Sequence, residues 1–111
     1  MLSISILEES PHHILKVKGE IDASNSVQLD ESIRDLEEKG AKSILVDGSE
    51  LEYISSAGLG VFMSYLEEFQ DKGIHLKIFS LSPKVFEVFR ILGLDQLISI
   101  VSTKEEALQE S

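Results

Sequence analysis

The order of apolar patterns along the chain restricts its fold more than any single residue does. Two short apolar runs come first, at residues 2–7 and 14–19, and the short connection Glu8–His12 predicts an antiparallel hairpin. After this hairpin, segments with apolar residues at helical spacing alternate with further runs of strand length. These runs lie at residues 43–47, 74–79 and 97–101. Alternation of this kind requires right-handed crossovers, so the sequence predicts an α/β fold with a mixed, mostly parallel β-sheet of about five strands and about four helices.

Residues that favour helix ends mark the limits of the first two expected helices. Ser24 or Asn25 is the expected N-cap of the first helix, and Gly40 follows its last turn. The second helix is expected over residues 56–72, with Gly73 ending it. The residues expected to face the core are Leu29, Ile33 and Leu36 in the first helix, and Leu59, Phe62, Met63, Leu66 and Phe69 in the second.

Similar signals bound the last two expected helices. Ser82-Pro83 combines an N-cap with a proline at the first helical position, and Gly93 stops this third helix. Thr103 with Glu106 predicts a capping box for a short final helix through about Glu110. The residues expected to form the buried stripe of the third helix are Val85, Phe86, Phe89 and Leu92.

Charge and composition exclude several classes of function. The net charge of −10 argues against nucleic acid and anionic membranes as partners, because their phosphate groups would be repelled. The absence of cysteine excludes disulfide bonds and thiolate metal sites. No apolar run approaches the roughly 20 residues that a membrane-spanning helix needs, and the first residues lack the basic start of a signal peptide. We therefore expect one soluble, cytoplasmic domain over residues 1–111.

The stretch Y-I-S-S-A-G-L-G at residues 53–60 is the candidate functional segment. Ser55 and Ser56 stand where a strand gives way to a helix, whose first turn has free backbone N–H groups and could accommodate a phosphate. Ala57, Gly58 and Gly60 are small, so they would leave a smooth surface beside the hydroxyl groups. The simpler interpretation is that one serine is only an N-cap and the glycines only allow close packing. Both interpretations can hold together.

The sequence does not support a catalytic or metal site. Ser56 is not in a G-x-S-x-G motif, and no pattern brings a histidine and an acid beside it. His12 and His13 fall in the expected hairpin turn and His75 in a strand, which predicts no metal site. Neither a dinucleotide fingerprint nor a P-loop is present, so no cofactor is expected. Asp47 at a strand end is similar to the acceptor of a receiver domain, but the acidic pair that such a domain needs is not in the right place.

Two stretches together resemble a known family. Residues 47–61, D-G-S-E-L-E-Y-I-S-S-A-G-L-G-V, resemble the signature of STAS domains, and most of all that of the bacterial anti-sigma factor antagonists. Residues 19–26, G-E-I-D-A-S-N-S, are similar to the second landmark of that family. The order of expected helices and strands also matches along nearly the whole chain. The resemblance implies that residues 1–111 form a single STAS domain.

The resemblance implies a non-enzymatic partner switch. The unphosphorylated protein would bind an anti-sigma factor, which is usually also a serine kinase. Phosphorylation at Ser56 would release it, and a PP2C-type phosphatase would restore binding. Ser55 replaces the aspartate that is usual before the acceptor, which makes it a rival acceptor, and Gly48 replaces a usual leucine, which is expected to loosen its loop. The implied partner-binding residues are Asp22, Ala23, Ser24, Asn25, Ser55, Ser56, Ala57, Gly58, Leu59 and Gly60. The alternative is a STAS module that scaffolds a complex or senses a small ligand and is never phosphorylated.

Overall fold

The five strands of the sheet lie side by side in the order in which they occur in the sequence. The computed structural model describes residues 1–109 of the chain. The strands are β1 (Ser3–Glu9), β2 (His12–Ile21), β3 (Ser43–Ile54), β4 (His75–Phe79) and β5 (Ser99–Val101). β1 pairs with β2 in antiparallel orientation, and β2 to β5 are all parallel. The prediction of a mixed, mostly parallel sheet is confirmed.

Four α-helices and one short 3-10 helix connect the strands within the described residues. The helices are α1 (Ser26–Glu38), α2 (Ser56–Lys72), α3 (Pro83–Ile91) and α4 (Lys104–Leu108), and the 3-10 helix spans Leu94–Gln96. The predicted helix ends are confirmed at Asn25, which is the N-cap of α1, and at Ser82, whose hydroxyl accepts from the Val85 N–H. The capping box of Thr103 and Glu106 is also confirmed. The predicted end of the last helix at about Glu110 lies outside the described residues.

The helices cover the two faces of the sheet unequally. On one face, α1, α2 and α3 pack their buried residues against a row that includes Leu15, Val46 and Ile78. On the other face, Ala107 of α4 packs against a smaller cluster. The sheet residues of that cluster are Ile14, Leu45 and Phe79. Because side chains alternate along a strand, β2, β3 and β4 each supply residues to both cores.

Strands β2 and β3 are longer than predicted, since β2 continues to Ile21 and β3 to Ile54. Their pairing shifts register between Lys16 and Lys18 and again between Gly19 and Glu20. These irregularities let the pair continue through a polar stretch that reads as a loop in the sequence. Gly19 has a φ of 104°, and a Cβ there would lie 1.9 Å from the carbonyl oxygen of Met1. The glycine is therefore required because the backbone of residue 1 lies directly against β2 at this position.

Gly48 does not loosen a loop, contrary to expectation. It is buried within β3, and a Cβ built on it would lie 2.5 Å from Cδ2 of Leu81. Leu81, in the connection from β4 to α3, thus occupies the space that a side chain at residue 48 would take. The position is filled from a different part of the chain.

The prediction that Met63 and Leu92 are buried is wrong. Met63 is 49% exposed because it lies on the outer side of α2, and Leu92 is 58% exposed because the chain leaves α3 just before it. Tyr65 is buried instead. Its hydroxyl donates to Oδ1 of Asp30 over 2.9 Å and so joins α2 to α1. Burial, together with the hydrogen bond to Asp30, raises the pKa of Tyr65 above its usual value.

Candidate functional site

The two serines at the start of α2 have different environments. Ser55 is the N-cap, with extended backbone, and its Oγ accepts from the N–H of Gly58 over 3.5 Å. Its side chain is half-buried. Ser56 is the first residue of the helix and is exposed. Within residues 1–109, no hydrogen bond holds its hydroxyl, so this group is free to react or to meet a partner.

The first turn of α2 favours a negative charge. Its backbone N–H groups point out of the helix without intrahelical acceptors, and they give this end a partial positive charge. No acidic residue lies in this turn to neutralise that charge. An anionic group attached to Ser56 would therefore be stabilised by the helix that carries it.

The loop between β2 and α1 is held by its own polar side chains. Asp22 accepts hydrogen bonds from the N–H and the hydroxyl of Ser24, over 2.9 and 2.6 Å. Asn25 accepts from the N–H of Asp22 over 2.9 Å and donates to the carbonyl oxygen of Glu20 over 3.0 Å. The hydroxyl and then the N–H of Ser24 hold the pKa of Asp22 below its usual range. The loop is therefore ordered before any partner binds.

Backbone and packing contacts place this loop beside the start of α2. The N–H of Ser55 donates to the carbonyl oxygen of Ile21 over 2.9 Å, and Ile21 pairs with Ile54 at the end of the two strands. A Cβ on Gly58 would lie 2.7 Å from Cγ2 of Ile21 and 2.8 Å from Cγ1 of Ile54. Gly58 thus lets the first turn of α2 lie directly on the strand ends.

The predicted partner-binding residues do not all reach the surface. Ala23, Ser24, Ser56 and Gly60 are exposed, and we call these four residues the junction surface. Leu59 is only 3% exposed and belongs to the core, so it supports this surface from below. Gly58 is likewise buried. Asp22, Asn25, Ser55 and Ala57 are half-buried at its edge.

Sequence reasoning missed three exposed apolar residues near these segments. Val27 in the first turn of α1 is 66% exposed, Tyr53 before the two serines 48%, and Met63 on α2 49%. Exposed large apolar side chains beside a polar surface are typical of interaction sites. Their exposure depends on which face of the helix or strand each residue occupies. The sequence pattern does not determine that face for these three residues.

The histidines lie at the other end of the sheet. His12 and His75 begin β2 and β4, whereas Ser56 follows the carboxyl end of β3. His12 Nδ1 lies 2.7 Å from Oγ of Ser43, and His13 Nδ1 lies 3.6 Å from a carboxylate oxygen of Glu8. Over residues 1–109, no group of three or more potential metal ligands comes together. In the same part of the chain, no helix is both long and apolar enough to cross a membrane.

Comparison with known proteins agrees with this geometry. The family model of the STAS domain matches residues 4–107 of this sequence. The anti-sigma-B factor antagonist of Listeria monocytogenes is 33% identical over 95% of this chain and 93% of its own length. A Thermotoga maritima protein solved as a candidate anti-sigma factor antagonist is 25% identical, with a TM-score of 0.88 over 95% of this chain and 91% of that one.

A third similarity concerns the Bacillus cell fate determinant SpoIIAA, solved in its phosphorylated form. The TM-score is 0.70 at 21% identity, over 97% of this chain and 96% of that one, which shows the shared fold alone. Fold and site together define a small α/β protein with a serine exposed at a strand-to-helix junction. The chain belongs to the STAS domain family, and its relatives include anti-sigma factor antagonists.

Proposed function

We propose that this protein is a cytoplasmic, non-enzymatic anti-sigma factor antagonist that works by partner switching, with residues 1–111 acting as one STAS domain. Its unphosphorylated form binds an anti-sigma factor that is also a serine kinase. Phosphorylation of Ser56 releases it, and a PP2C-type phosphatase reverses the change. The observation that carries this proposal is the exposed Ser56 hydroxyl at the first position of α2. The curated relatives named as anti-sigma-B factor antagonists support the choice of partner.

The division of roles between the two serines supports Ser56 as the acceptor. The Ser55 hydroxyl is half-buried and accepts the capping hydrogen bond from Gly58, so a kinase would have to break the cap to reach it. Ser56 needs no such change, because the residue is exposed and does not serve as the cap. The replacement of the usual aspartate by Ser55 therefore changes the cap of α2 while leaving the acceptor free.

A phosphate at Ser56 would act on the interface and not on the fold. It adds about 1.5 to 2 negative charges at neutral pH, which the N-terminus of α2 stabilises. SpoIIAA, which shares the fold, exists in a phosphorylated form, and this supports the compatibility of the fold with a phosphate. A partner packed over Ser56 would have to desolvate the charge at a cost of several kcal/mol. Since about 1.4 kcal/mol is a factor of ten in affinity, binding would weaken by roughly a thousandfold.

The partner would touch the junction surface and the half-buried residues at its edge. The edge residues are Asp22, Asn25, Ser55 and Ala57, with Gly58 and Leu59 supporting the surface from below. Because internal hydrogen bonds already order the loop of residues 22–25, binding costs little additional conformational entropy. This arrangement favours a rigid docking surface that a single charge can block.

The test is phosphorylation by the cognate kinase with ATP, followed by mapping of the modified residue. We expect phosphate on the wild type and on Ser55→Ala, and none on Ser56→Ala. In a binding assay with the anti-sigma factor, Ser56→Asp should weaken affinity strongly. Ser64→Asp is the matched control, because Ser64 is exposed on the same helix two turns away. Phosphate on Ser55 alone would overturn the assignment of the acceptor.

The second candidate is a STAS scaffold or ligand sensor that is never phosphorylated. Ser55, which stands where the family usually has an acid, favours this candidate, because kinase recognition could depend on that acid. An open groove of about 640 Å³ near the C-terminal end of α2, lined in part by Leu66, Leu76 and Leu97, offers apolar surface to a small ligand. Retained partner binding in Ser56→Asp, with no phosphate on either serine, would establish this second function instead.

A further inference from the structure

Strand β1 is an unprotected edge of the sheet. It pairs with β2 over seven consecutive residues without any shift in register, and nothing in residues 1–109 pairs with its other side. Proteins usually protect such edges with charged side chains, above all lysine, or with proline, a bulge or a very short strand. β1 contains neither lysine nor proline and its charges are confined to Glu8 and Glu9 at one end, whereas the opposite edge strand, β5, is only three residues long. The open hydrogen-bonding groups of β1 are therefore available to another strand.

Apolar side chains accompany this open edge on both faces of the sheet. Ile6 pairs with Leu15 and lies on the face that α1, α2 and α3 cover, yet it is 45% exposed. Leu7 pairs with Ile14 on the face that α4 covers, and it is 54% exposed. A strand added beside β1 would cover both side chains at once, which makes β1 an edge with hydrophobic surface on either side.

We propose that a second copy of this chain pairs with β1 in antiparallel orientation. Full overlap of Ser3–Glu9 with itself places Ile6 on the two-fold axis, opposite Ile6 of the second copy. In this register Ser5 lies opposite Leu7, and Ser3 lies opposite Glu9. Strand pairing thus joins the two sheets into one, and Ile6 packs against its own symmetry mate.

The charges of the strand ends favour this orientation. Glu8 and Glu9 are the only charged residues of β1, and a parallel arrangement in register would put them against the same residues of the second copy. In the antiparallel register, Glu9 lies opposite Ser3, and the residue that pairs with Ser3 in the next strand is Lys18. Two strand spacings of about 4.8 Å separate their backbones, a distance that long side chains can span over a small serine. Lys18 is exposed, with 67% of its side chain accessible, and its ion pair with Glu50 is long, at 3.6 Å, so Lys18 can also turn toward Glu9 of the second copy.

Glu9 already has a positively charged neighbour within each copy. Lys104 of α4 binds Glu9, with 2.7 Å between Nζ and Oε2. Glu9 would therefore lie between Lys104 of its own chain and Lys18 of the second copy. The two-fold symmetry produces this arrangement once for each copy. The net charge of −10 per copy opposes association, so we expect a weak dimer that forms at high protein concentration.

Dimerisation through β1 is separate from the proposed partner switch. The junction surface follows the carboxyl ends of β2 and β3, whereas the dimer contact is centred on Ile6 in the middle of β1, so each copy would keep its own surface accessible. The measurement is sedimentation of the wild type over a concentration series in 150 mM salt. We expect the mass to rise from 12.3 kDa toward twice that value. Ile6→Lys should remain monomeric, because two lysines would meet on the axis, while Ile91→Lys, changed at a residue that is 69% exposed, should dimerise like the wild type.

Oxidative cross-linking tests the register. The natural chain has no cysteine, so each variant carries a single thiol. Ile6→Cys should form a disulfide-linked dimer at least tenfold faster than Leu7→Cys or Ile91→Cys, since only residue 6 faces its own copy. A wild type that stays at the monomer mass at every concentration would overturn the proposal. Cross-linking of Ile6→Cys that is no faster than that of Ile91→Cys would overturn it as well, whatever the outcome of the phosphorylation test.

Discussion

The backbone N–H of Ser55 donates to the carbonyl oxygen of Ile21 across the ends of two parallel strands, over 2.9 Å. This bond joins the residue that caps α2 to the residue that precedes the loop of Asp22 to Asn25. The start of α2 and the start of the loop are therefore fixed relative to each other.

Replacing Ser55 should cost more stability than replacing Ser56. Ser55→Ala removes the N-cap of α2, and because the capping hydrogen bond is long, we expect a loss of about 0.5–1 kcal/mol in the free energy of unfolding. Ser56→Ala removes an exposed hydroxyl and should stay within about 0.5 kcal/mol of the wild type. Urea denaturation of both variants measures the difference. A larger loss in Ser56→Ala would show that the cap has been assigned to the wrong serine.

Alanine should have opposite effects at the two glycines of α2. In Gly58→Ala the new methyl group would lie within 2.8 Å of Ile21 and Ile54, and overpacking of this kind costs about 1–3 kcal/mol. In Gly60→Ala no atom outside the adjacent backbone of the same helix lies within 4 Å of the new group, so the better helix propensity of alanine should stabilise the protein by up to about 1 kcal/mol. Thermal unfolding of the two variants provides the comparison. Equal midpoints would contradict the close packing of Gly58.

An acid at the start of α2 should stabilise the helix, and an acid at its end should not. Ser56→Asp places a negative charge at the positive end of the helix and should raise the free energy of unfolding by about 0.3–1 kcal/mol. Gln70→Asp places the same charge in the last turn and should lower it by a similar amount. The two variants have the same net charge, so their difference in thermal midpoint isolates the position of the charge. A marked loss of stability in Ser56→Asp would argue against a phosphate at this residue.

The hydrogen bond between Tyr65 and Asp30 predicts a stability difference that depends on pH. Tyr65→Phe removes a bond to a carboxylate, and such bonds contribute about 1.5–3 kcal/mol. The pKa of Tyr65 is raised in the folded protein, so the contribution of the hydroxyl is complete below the unfolded pKa of about 10. It is lost as the pH rises from there toward the folded value, since the unfolded state then binds fewer protons.

The measurement is urea denaturation of the wild type and Tyr65→Phe at pH 7 and at pH 11. The difference between the two proteins should shrink at the higher pH. Both proteins contain the same lysines, and both keep Tyr53, so these groups cancel from the comparison. A difference that grows with pH would contradict the raised pKa.

The sequence predicts the elements of this fold better than their lengths. Periodicity and capping residues identify the helices, because each depends on residues close together in the chain. The continuation of β3 through Gly48 could not be predicted, because it depends on register shifts in β2 and on Leu81 from a distant connection. The exposure of Met63 has a similar origin, since helical spacing allows it to lie at the margin of the buried stripe.

The candidate site, too, could be predicted only in part from the sequence. Its position at a strand-to-helix junction follows from the sequence, because Ser55 and Ser56 stand between two strong local patterns. Which serine caps the helix depends on where the helix begins, and sequence patterns locate that point only to within a residue or two. The adjacency of Ile21 to Gly58 depends on the pairing of two strands that are 33 residues apart at Ile21 and Ile54. No local pattern encodes such a contact.

The sequential order of the strands affects how the protein can be made. Each strand pairs with the strand that precedes it in the chain, so during translation a newly emerged strand finds its neighbour already present. The sheet can grow in one direction as the ribosome releases it, without waiting for a distant partner. The contact between Lys104 and Glu9 is different, since it joins residues 95 positions apart. Synthesis therefore leaves the α4 face of the sheet uncovered until α4 has been made, and a nascent chain should bind chaperones there for longer than on the opposite face.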